Sequence, residues 1–374
     1  MDAAPARKKM DLDETMMGRA LELARRAWGE THPNPMVGAV LVENGAVVAE
    51  GWHARDGGPH AERVALAALG RRPAPGSTLY VTLEPCSTAG RTGACCDLIR
   101  EAGVARVVIG ATDPNPVHAG RAAGVLRAAG VEVRMGVRAG ECADLNLVFN
   151  HWITTGRPLL AGKIATTRDG FSAPPPGTSR WITGEAARVD AHRWRRLFPG
   201  ILVGAGTVRA DNPALTRRWT EDGVEREDCG RRFVLDPLLT TAVGPEAAWP
   251  RLYTDRWRER TTVVATPAAD GDVRARLEAA GVAVWEQETT RGPAGWGGFA
   301  RRCAAEGVTG VLIEGGATVL NDAGEAGALD YGFWYRAGFA GGASWGGKLR
   351  RWDLAGALAA QLGGDQLTRG RLLA

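Results

Sequence analysis

A chain of 374 residues exceeds the roughly 250 that a single hydrophobic core ordinarily serves, so two domains are expected. With 45% hydrophobic and 24% charged residues it has a globular composition, which excludes a mainly disordered or fibrous chain. The formal charge of +4, from 46 basic and 42 acidic residues without a long basic block, argues against nucleic-acid binding and leaves an anionic small molecule as a compatible ligand.

The opening MDAAPARKKMDLDE carries basic residues with no apolar run behind them, and no stretch reaches the ~20 apolar residues of a membrane span. A cytoplasmic protein without a membrane partner is expected. Its six cysteines, at 86, 95, 96, 142, 229 and 303, are too sparse and uneven for a disulfide framework. A tight cysteine cluster in a reducing compartment points instead to metal binding or catalysis.

Residues 12 to 28 place Met17, Ala20, Leu21 and Ala24 at helical spacing, with Asp13 and Glu14 where the helix dipole favours acids. Pro33 and Pro35 then force a loop. VGAVLVENGAVVAEGWH predicts a hairpin turning at Asn44-Gly45. An Ala-rich helix from His60 to Leu69, a strand over 77–84 running into Pro85-Cys86, a helix from CCDLIREAG, a strand over 105–111, a further helix and a last strand follow. This α-β-β-α-β-α-β-α-β order predicts a three-layer α/β sandwich, largely parallel beyond the first hairpin.

Near residue 150 the texture changes: 11 of the 13 tryptophans lie beyond it, and ITTGRP (153–158) reads as a turn-rich break. Domains of 1–149 and 150–374 are expected. In the second, strands are predicted at 159–165, 200–206, 231–236, 261–266, 282–287 and 308–316, giving another α/β domain. Gly204-Ala205-Gly206 lacks the full G-x-G-x-x-G, so no Rossmann domain is assigned.

Zinc takes imidazole nitrogen and thiolate sulfur in a tetrahedron, and a catalytic site leaves one position for water. His60, Cys86 and Cys95 supply that count, with Cys96 a rival for the third place. Thiolates near a helix N-terminus are favoured by its partial positive charge. Glu62, two residues after His60, is placed to carry a proton to a leaving amine. An H-x-E joined to a later P-C and a further Cys is the pattern of hydrolytic zinc deaminases. Here the second half is stretched, with eight residues between the cysteines.

These residues resemble the bifunctional deaminase/reductase family of riboflavin biosynthesis. The resemblance is carried by PNPMVGAVLV, GWH, GGPHAE, LYVTLEPCS, GRTGACC and DPNP in the first half. GRPLLAGKIATTRDG, SRWIT, GILVGAGTVRADNPALTRR, VLD and VLIEGG carry it in the second. It implies a cytidine-deaminase-like sandwich followed by a dihydrofolate-reductase-like α/β domain, with Zn2+ and NADPH as cofactors. The implied chemistry is loss of a ring amino group from a diaminopyrimidinone ribosylamino 5'-phosphate, then reduction of ribosyl to ribityl.

The spacing of cysteine ligands in that family implies Cys95 over Cys96. By matched position Asn34, His53 and Arg91 would bind the deaminase substrate. Lys163, Ala165, Trp181, Thr207, Asp211, Gly315 and Gly316 would line the NADPH site. Ser179, Arg195, Leu215, Arg218 and Glu314 would hold the reductase substrate. The resemblance also implies a homo-oligomer. The chain departs from the pattern at Thr88, Gly93 and Ala94, where a looser substrate loop is expected, and at Tyr331 and Gly338 near the C-terminal end. The competing reading is a deaminase of another nucleobase or nucleotide with a degenerate or unrelated second domain.

Overall fold

The computed structural model describes residues 11–88, 93–175, 177–178, 181–350 and 352–373. The chain divides into two compact units, Met1–Gly156 and Arg157–Ala374. No helix among the described residues is long and apolar enough to cross a membrane.

The first unit runs α1 (Leu12–Arg25), β1 (Gly38–Glu43), β2 (Ala46–Trp52), α2 (Ala61–Leu69), β3 (Thr78–Leu83), α3 (Cys95–Ala102), β4 (Arg106–Ala111), α4 (Arg121–Ala128), β5 (Glu132–Met135), α5 (Ala139–Leu145) and α6 (Leu147–Thr155). Its sheet has the order β2-β1-β3-β4-β5; β1 pairs antiparallel with β2 and β3, whereas β3, β4 and β5 are parallel. The predicted hairpin turns where expected, with Asn44 at φ 50° and Gly45 at φ 79°, the left-handed pair a tight two-residue turn requires. α1 stops three residues short of the predicted end. There Arg26 and Ala27 donate to carbonyls three residues back, tightening the last turn.

ITT of the predicted break belongs instead to α6. Thr154 and Thr155 send their hydroxyls back to the carbonyls of Asn150 and His151, which lets these turn-prone residues finish the helix. The break begins at Gly156, which is left-handed at φ 66°.

Asp13 does more than complement a helix dipole. Buried in the first turn of α1, it accepts from Tyr80 of β3 at 2.9 Å and bidentately from Arg106 of β4 at 2.8 Å, and it is paired with Arg134 of β5. One carboxylate thus ties the helix to three strands. Hydrogen bonds from Arg106 lead those that hold its pKa down at about 2.

The second unit runs β6 (Leu159–Thr166), β7 (Phe171–Ala173), α7 (Glu185–Leu197), β8 (Gly200–Gly204), α8 (Ala205–Asp211), β9 (Arg217–Glu221), β10 (Val224–Asp228), β11 (Arg231–Leu235), α9 (Arg251–Thr254), β12 (Thr261–Ala265), α10 (Gly271–Ala279), β13 (Ala283–Glu286), α11 (Gly292–Ala305), β14 (Gly310–Ile313), α12 (Ala317–Glu325), β15 (Tyr331–Arg336), β16 (Gly346–Lys348), β17 (Leu354–Leu362) and β18 (Asp365–Leu372). The main sheet has the order β13-β12-β11-β8-β14-β6-β15-β18-β17, parallel from β13 to β15 and antiparallel through the last two strands. Successive strands step outward from β8 to β13, and β14 then returns between β8 and β6. Ligands of open α/β sheets bind at the carboxyl ends of strands flanking such a reversal.

Two predicted strands are shorter than the sequence suggests. β8 ends at Gly204 because Ala205 and Gly206 open α8, and β14 ends at Ile313 because α12 follows within four residues. A Cβ on Gly204 would lie 2.6 Å from Val319 of α12, so the glycine admits that helix against the strand end.

Asp13→Asn removes the charge that Arg106 and Arg134 share. A loss of about 2 kcal/mol at pH 7 is expected, below the usual figure for a broken buried pair because Arg134 is 44% exposed. The native carboxylate titrates lower than the unfolded one, so its contribution is complete above about pH 4. It is lost as pH falls towards 2. Denaturant titrations of both forms between pH 2.5 and 7 should draw together towards the acid end; a constant difference would contradict the assignment.

Candidate active sites

Gly51 of β2 sets the approach of α2. A Cβ there would lie 2.4 Å from both the Ala61 carbonyl oxygen and the Ala65 nitrogen, so only glycine lets the helix sit this close to the sheet. His60 is the N-cap residue of α2 and Glu62 lies in its first turn, 3% exposed. Cys86 follows Pro85 beyond the end of β3, and Cys95 is the first residue of α3. The three potential ligand atoms lie within 4.8 Å of one another, His60 Nδ1 being 3.2 Å from Cys95 Sγ and 3.6 Å from Cys86 Sγ. The Cys95 backbone N–H donates to Cys86 Sγ at 3.2 Å.

Cys96 points elsewhere. Its sulfur lies 3.9 Å from the Pro85 carbonyl oxygen and packs in the core with Ala61, Val81 and Ile99, where burial pushes the thiol up to about 12. Adjacent helical residues differ by about 100° in direction, so only one of the two can face the His60 side.

Hydrogen bonding from the Cys95 thiol, helped by His60, lowers the Cys86 pKa to about 4. Cys95 correspondingly holds its proton. Two soft sulfurs and an imidazole converging at this spacing suit a zinc ion, with one tetrahedral position to spare. Burial raises the Glu62 carboxyl, as expected of a group that must take and release a proton near neutrality.

His53, 4% exposed, donates from Nδ1 to the Pro59 carbonyl at 3.1 Å, because a carbonyl can only accept. Its ring stands edge-on to His60 with centroids 5.9 Å apart, and burial lowers its pKa. Asn34 reaches Asp56 at 2.7 Å. Arg91 lies outside the described residues. Thr88 is described but Gly93 is open, with nothing within 4 Å of an added Cβ, so space does not demand glycine there. Ala94 is the buried N-cap residue of α3.

Sequence reasoning missed Glu84. Buried at the end of β3, it accepts the backbone N–H groups of Asp113, Gly120 and Ala122 at 2.9 to 3.1 Å. An acid directly before Pro-Cys at a strand end was the available signal.

In the second unit, register brings Lys163 and Glu314 together: Ile313 of β14 pairs with Gly162 of β6, and each next residue carries one of the charges. Lys163 Nζ lies 3.6 Å from Glu314 Oε2. Arg195, in the last turn of α7, clasps the same carboxylate through Nε at 2.5 Å and Nη2 at 2.7 Å. Burial opposes the Glu314 charge, but Arg195 and Lys163 outweigh it and hold the pKa at about 2. Burial lowers Lys163 against the pull of Glu314. Arg195 Nη1 also donates to the Thr216 carbonyl at 3.2 Å.

Leu215 has its side chain in the core and its backbone left-handed at φ 51°, so any ligand contact falls to its main chain. Arg218 is exposed and donates to His192 Nε2 at 3.2 Å. Thr207 Oγ1 accepts the Gly316 N–H at 3.0 Å, and a Cβ on Gly315 would lie 3.1 Å from the Gly204 nitrogen. This glycine cradle precedes α12, whose N-cap residue Gly316 has no side-chain cap, the arrangement a cofactor phosphate fits.

Ala165 lies on β6 opposite Tyr335. Asp211 ends α8 at the surface, and Trp181 is exposed with the Arg188 guanidinium 4.9 Å from its ring centroid. Ser179 lies outside the described residues. His192 and Tyr335 were not foreseen; Tyr335 donates to Asp190 at 2.8 Å beneath Lys163, whose Nζ is 5.7 Å from its ring centroid.

Residues 10–111 match the cytidine and deoxycytidylate deaminase zinc-binding region, and residues 158–348 match the RibD C-terminal domain. The chain is 42% identical over 321 residues to the riboflavin biosynthesis protein RibD of Bacillus amyloliquefaciens, covering 85% of this chain and 82% of that one. It is 50% identical over 208 residues to the Actinobacillus pleuropneumoniae protein of the same name, there spanning about half of each (56% and 54%). The structure of Acinetobacter baumannii RibD superposes with a TM-score of 0.77 at 31% identity, over 97% of this chain and 99% of that one. The deaminase/reductase of Thermotoga maritima gives 0.76 at 32%, with the same coverage.

Fold and sites together define a cytidine-deaminase-type zinc enzyme joined to an NADPH-dependent pyrimidine reductase. The chain belongs to the RibD family of bifunctional riboflavin-biosynthesis enzymes. The alternative of a deaminase with an unrelated second domain finds no support in these similarities.

Zinc content distinguishes the two adjacent cysteines. Elemental analysis should find about one zinc per chain in the unmodified protein and in Cys96→Ser, and little in Cys95→Ser; the reverse pattern would overturn the geometry.

Proposed function

We propose that the Met1–Gly156 unit deaminates a diaminopyrimidinone ribosylamino 5'-phosphate and that the Arg157–Ala374 unit reduces the ribosyl group of the product to ribityl. The observation that carries this reading is the presence, in one chain, of a His60–Cys86–Cys95 set beside a buried Glu62 and of a partly buried Lys163–Glu314–Arg195 ion cluster at a strand reversal.

His60, Cys86 and Cys95 would hold zinc, which when bound would supply an acidified water for attack on the ring carbon that carries the amine. Glu62 takes up a proton and delivers it to the departing ring amine, and its burial favours the protonated form that makes this delivery. Asn34 and His53 contact the pyrimidine, and Arg91 its phosphate. Near Thr88, Gly93 and Ala94, where the family pattern differs, Arg63 donates to the Gly93 carbonyl at 3.2 Å.

NADPH supplies the hydride when bound to Lys163, Ala165, Trp181, Thr207, Asp211, Gly315 and Gly316. Glu314, kept ionised by its two cations, accepts from sugar hydroxyls. Arg195, Arg218, Ser179 and the Leu215 main chain complete the substrate grip. Tyr331 leaves the sheet intact, since its hydroxyl accepts from Arg369 at 2.9 Å, and Gly338 leaves room for the β17–β18 turn, a Cβ there lying 3.1 Å from the Gly364 carbonyl oxygen. Both departures are compatible with an active reductase.

The strand β17, LAGALAAQL, is a largely exposed, uncharged sheet edge, which favours assembly into a homo-oligomer. Sedimentation at micromolar concentration should show a dimer or larger; a monomer would contradict this. The six free cysteines accord with a cytoplasmic location, which recovery outside the cytosol on fractionation would contradict.

Glu62→Gln should lower ammonia release by about 10²- to 10⁴-fold while leaving NADPH oxidation with the already deaminated substrate intact. Undiminished ammonia release by this variant would refute the proton-carrying role of Glu62.

A further inference from the structure

His192 lies on α7, three residues before Arg195 and so on the same helix face. Helix α7 packs against the hairpin strand β9, which carries Arg218. Arg218 Nη2 is 3.2 Å from His192 Nε2. A guanidinium has no acceptor to offer, so Nε2 must be the acceptor and the ring proton must sit on Nδ1. That contact therefore exists only while His192 is neutral.

Its surroundings enforce neutrality. Burial and the cations Arg195, Arg218 and Lys163 oppose a second proton, Glu314 alone among the named neighbours favours it, and the pKa falls to about 4. Glu314 is already engaged by Arg195 and Lys163. Arg218 is otherwise an exposed side chain on a two-stranded ribbon, with many rotamers open to it. An acceptor fixed on a rigid helix restricts that freedom and aims the guanidinium before substrate arrives.

We propose that His192 is a positioning residue of the reductase site, which acts through Arg218 by holding its guanidinium in the orientation that receives the anionic part of the ribosylamino substrate. This rests on the proposed role of Arg218 in substrate binding. His192 transfers no proton in the reduction and need not touch the reacting atoms.

The test uses the full chain with the deaminated substrate and saturating NADPH, following NADPH oxidation. His192→Phe keeps a flat ring without an acceptor and is expected to raise KM for substrate about tenfold, with kcat within about twofold. His192→Gln restores a neutral acceptor and is expected to bring KM back to within about threefold of the unmodified enzyme. His192→Ala, which crowds nothing, carries the same expectation as the Phe variant should that one fail to fold. In a cycle with Arg218→Met, adding His192→Phe should raise KM no further.

Arg218→Met raising KM while His192→Phe and His192→Ala leave it unchanged would overturn the positioning role and leave the substrate-binding role of Arg218 standing. If neither residue affects KM, the placement of Arg218 at the substrate fails and the inference falls with it. A fall in kcat that His192→Gln does not rescue would mark His192 as a structural or catalytic group instead, and would also overturn it.

Discussion

Cys86 reaches His60 and Cys95 because the end of β3 is tied down by a buried carboxylate. Glu84 gathers three backbone N–H groups from the segment that runs from the end of β4 into the first turn of α4, and two residues later the chain presents the first sulfur. Those donors include orphan N–H groups at a helix start, which need an acceptor if they are to be buried. The carboxylate is thus stabilised by the helix terminus it caps, and the loop carrying Cys86 is fixed from beneath. His60 arrives from the other side because Gly51 lets α2 lie close on β2. Preorganisation of this kind keeps two sulfurs and an imidazole within bonding range of one cation.

The second unit meets a harder electrostatic problem by related means. A largely desolvated carboxylate is costly, and Arg195 and Lys163, which both face Glu314, offset that cost. Parallel register between β14 and β6 delivers Lys163, and the last turn of α7 delivers Arg195. The cluster sits between β6 and the end of β14, beside the reversal of strand order where ligands of open α/β sheets bind. Neutral His192 continues this pattern, because a proton there would add a fourth cation to three already present.

What the sequence made legible was local. Asn44-Gly45 announces its hairpin through backbone geometry, and the strand–helix alternation of the first unit follows from periodicity. The choice of Cys95 over Cys96 needed the family spacing at first; the structure supplies the physical reason, since one residue of rotation on α3 turns Cys96 into the core. Non-local features were hidden. Asp13 reads as a dipole-complementing acid until its partners on β3, β4 and β5 are seen. β17 and β18 were not foreseen because LAGALAAQL has weak strand propensity, and the hairpin is organised by the pairing of β18 with β15. Leu215 looks like either a ligand contact or a core residue; its side chain lies in the core, beneath a left-handed backbone at φ 51°.

The most direct test follows ammonia and NADPH separately in a single reaction of the purified, zinc-loaded chain with the diaminopyrimidinone ribosylamino 5'-phosphate. Ammonia should appear with or without NADPH, and when NADPH is present its oxidation should follow and approach the ammonia released mole for mole. Absence of both signals, or ammonia release that persists after zinc is stripped, would contradict a zinc deaminase coupled to a reductase.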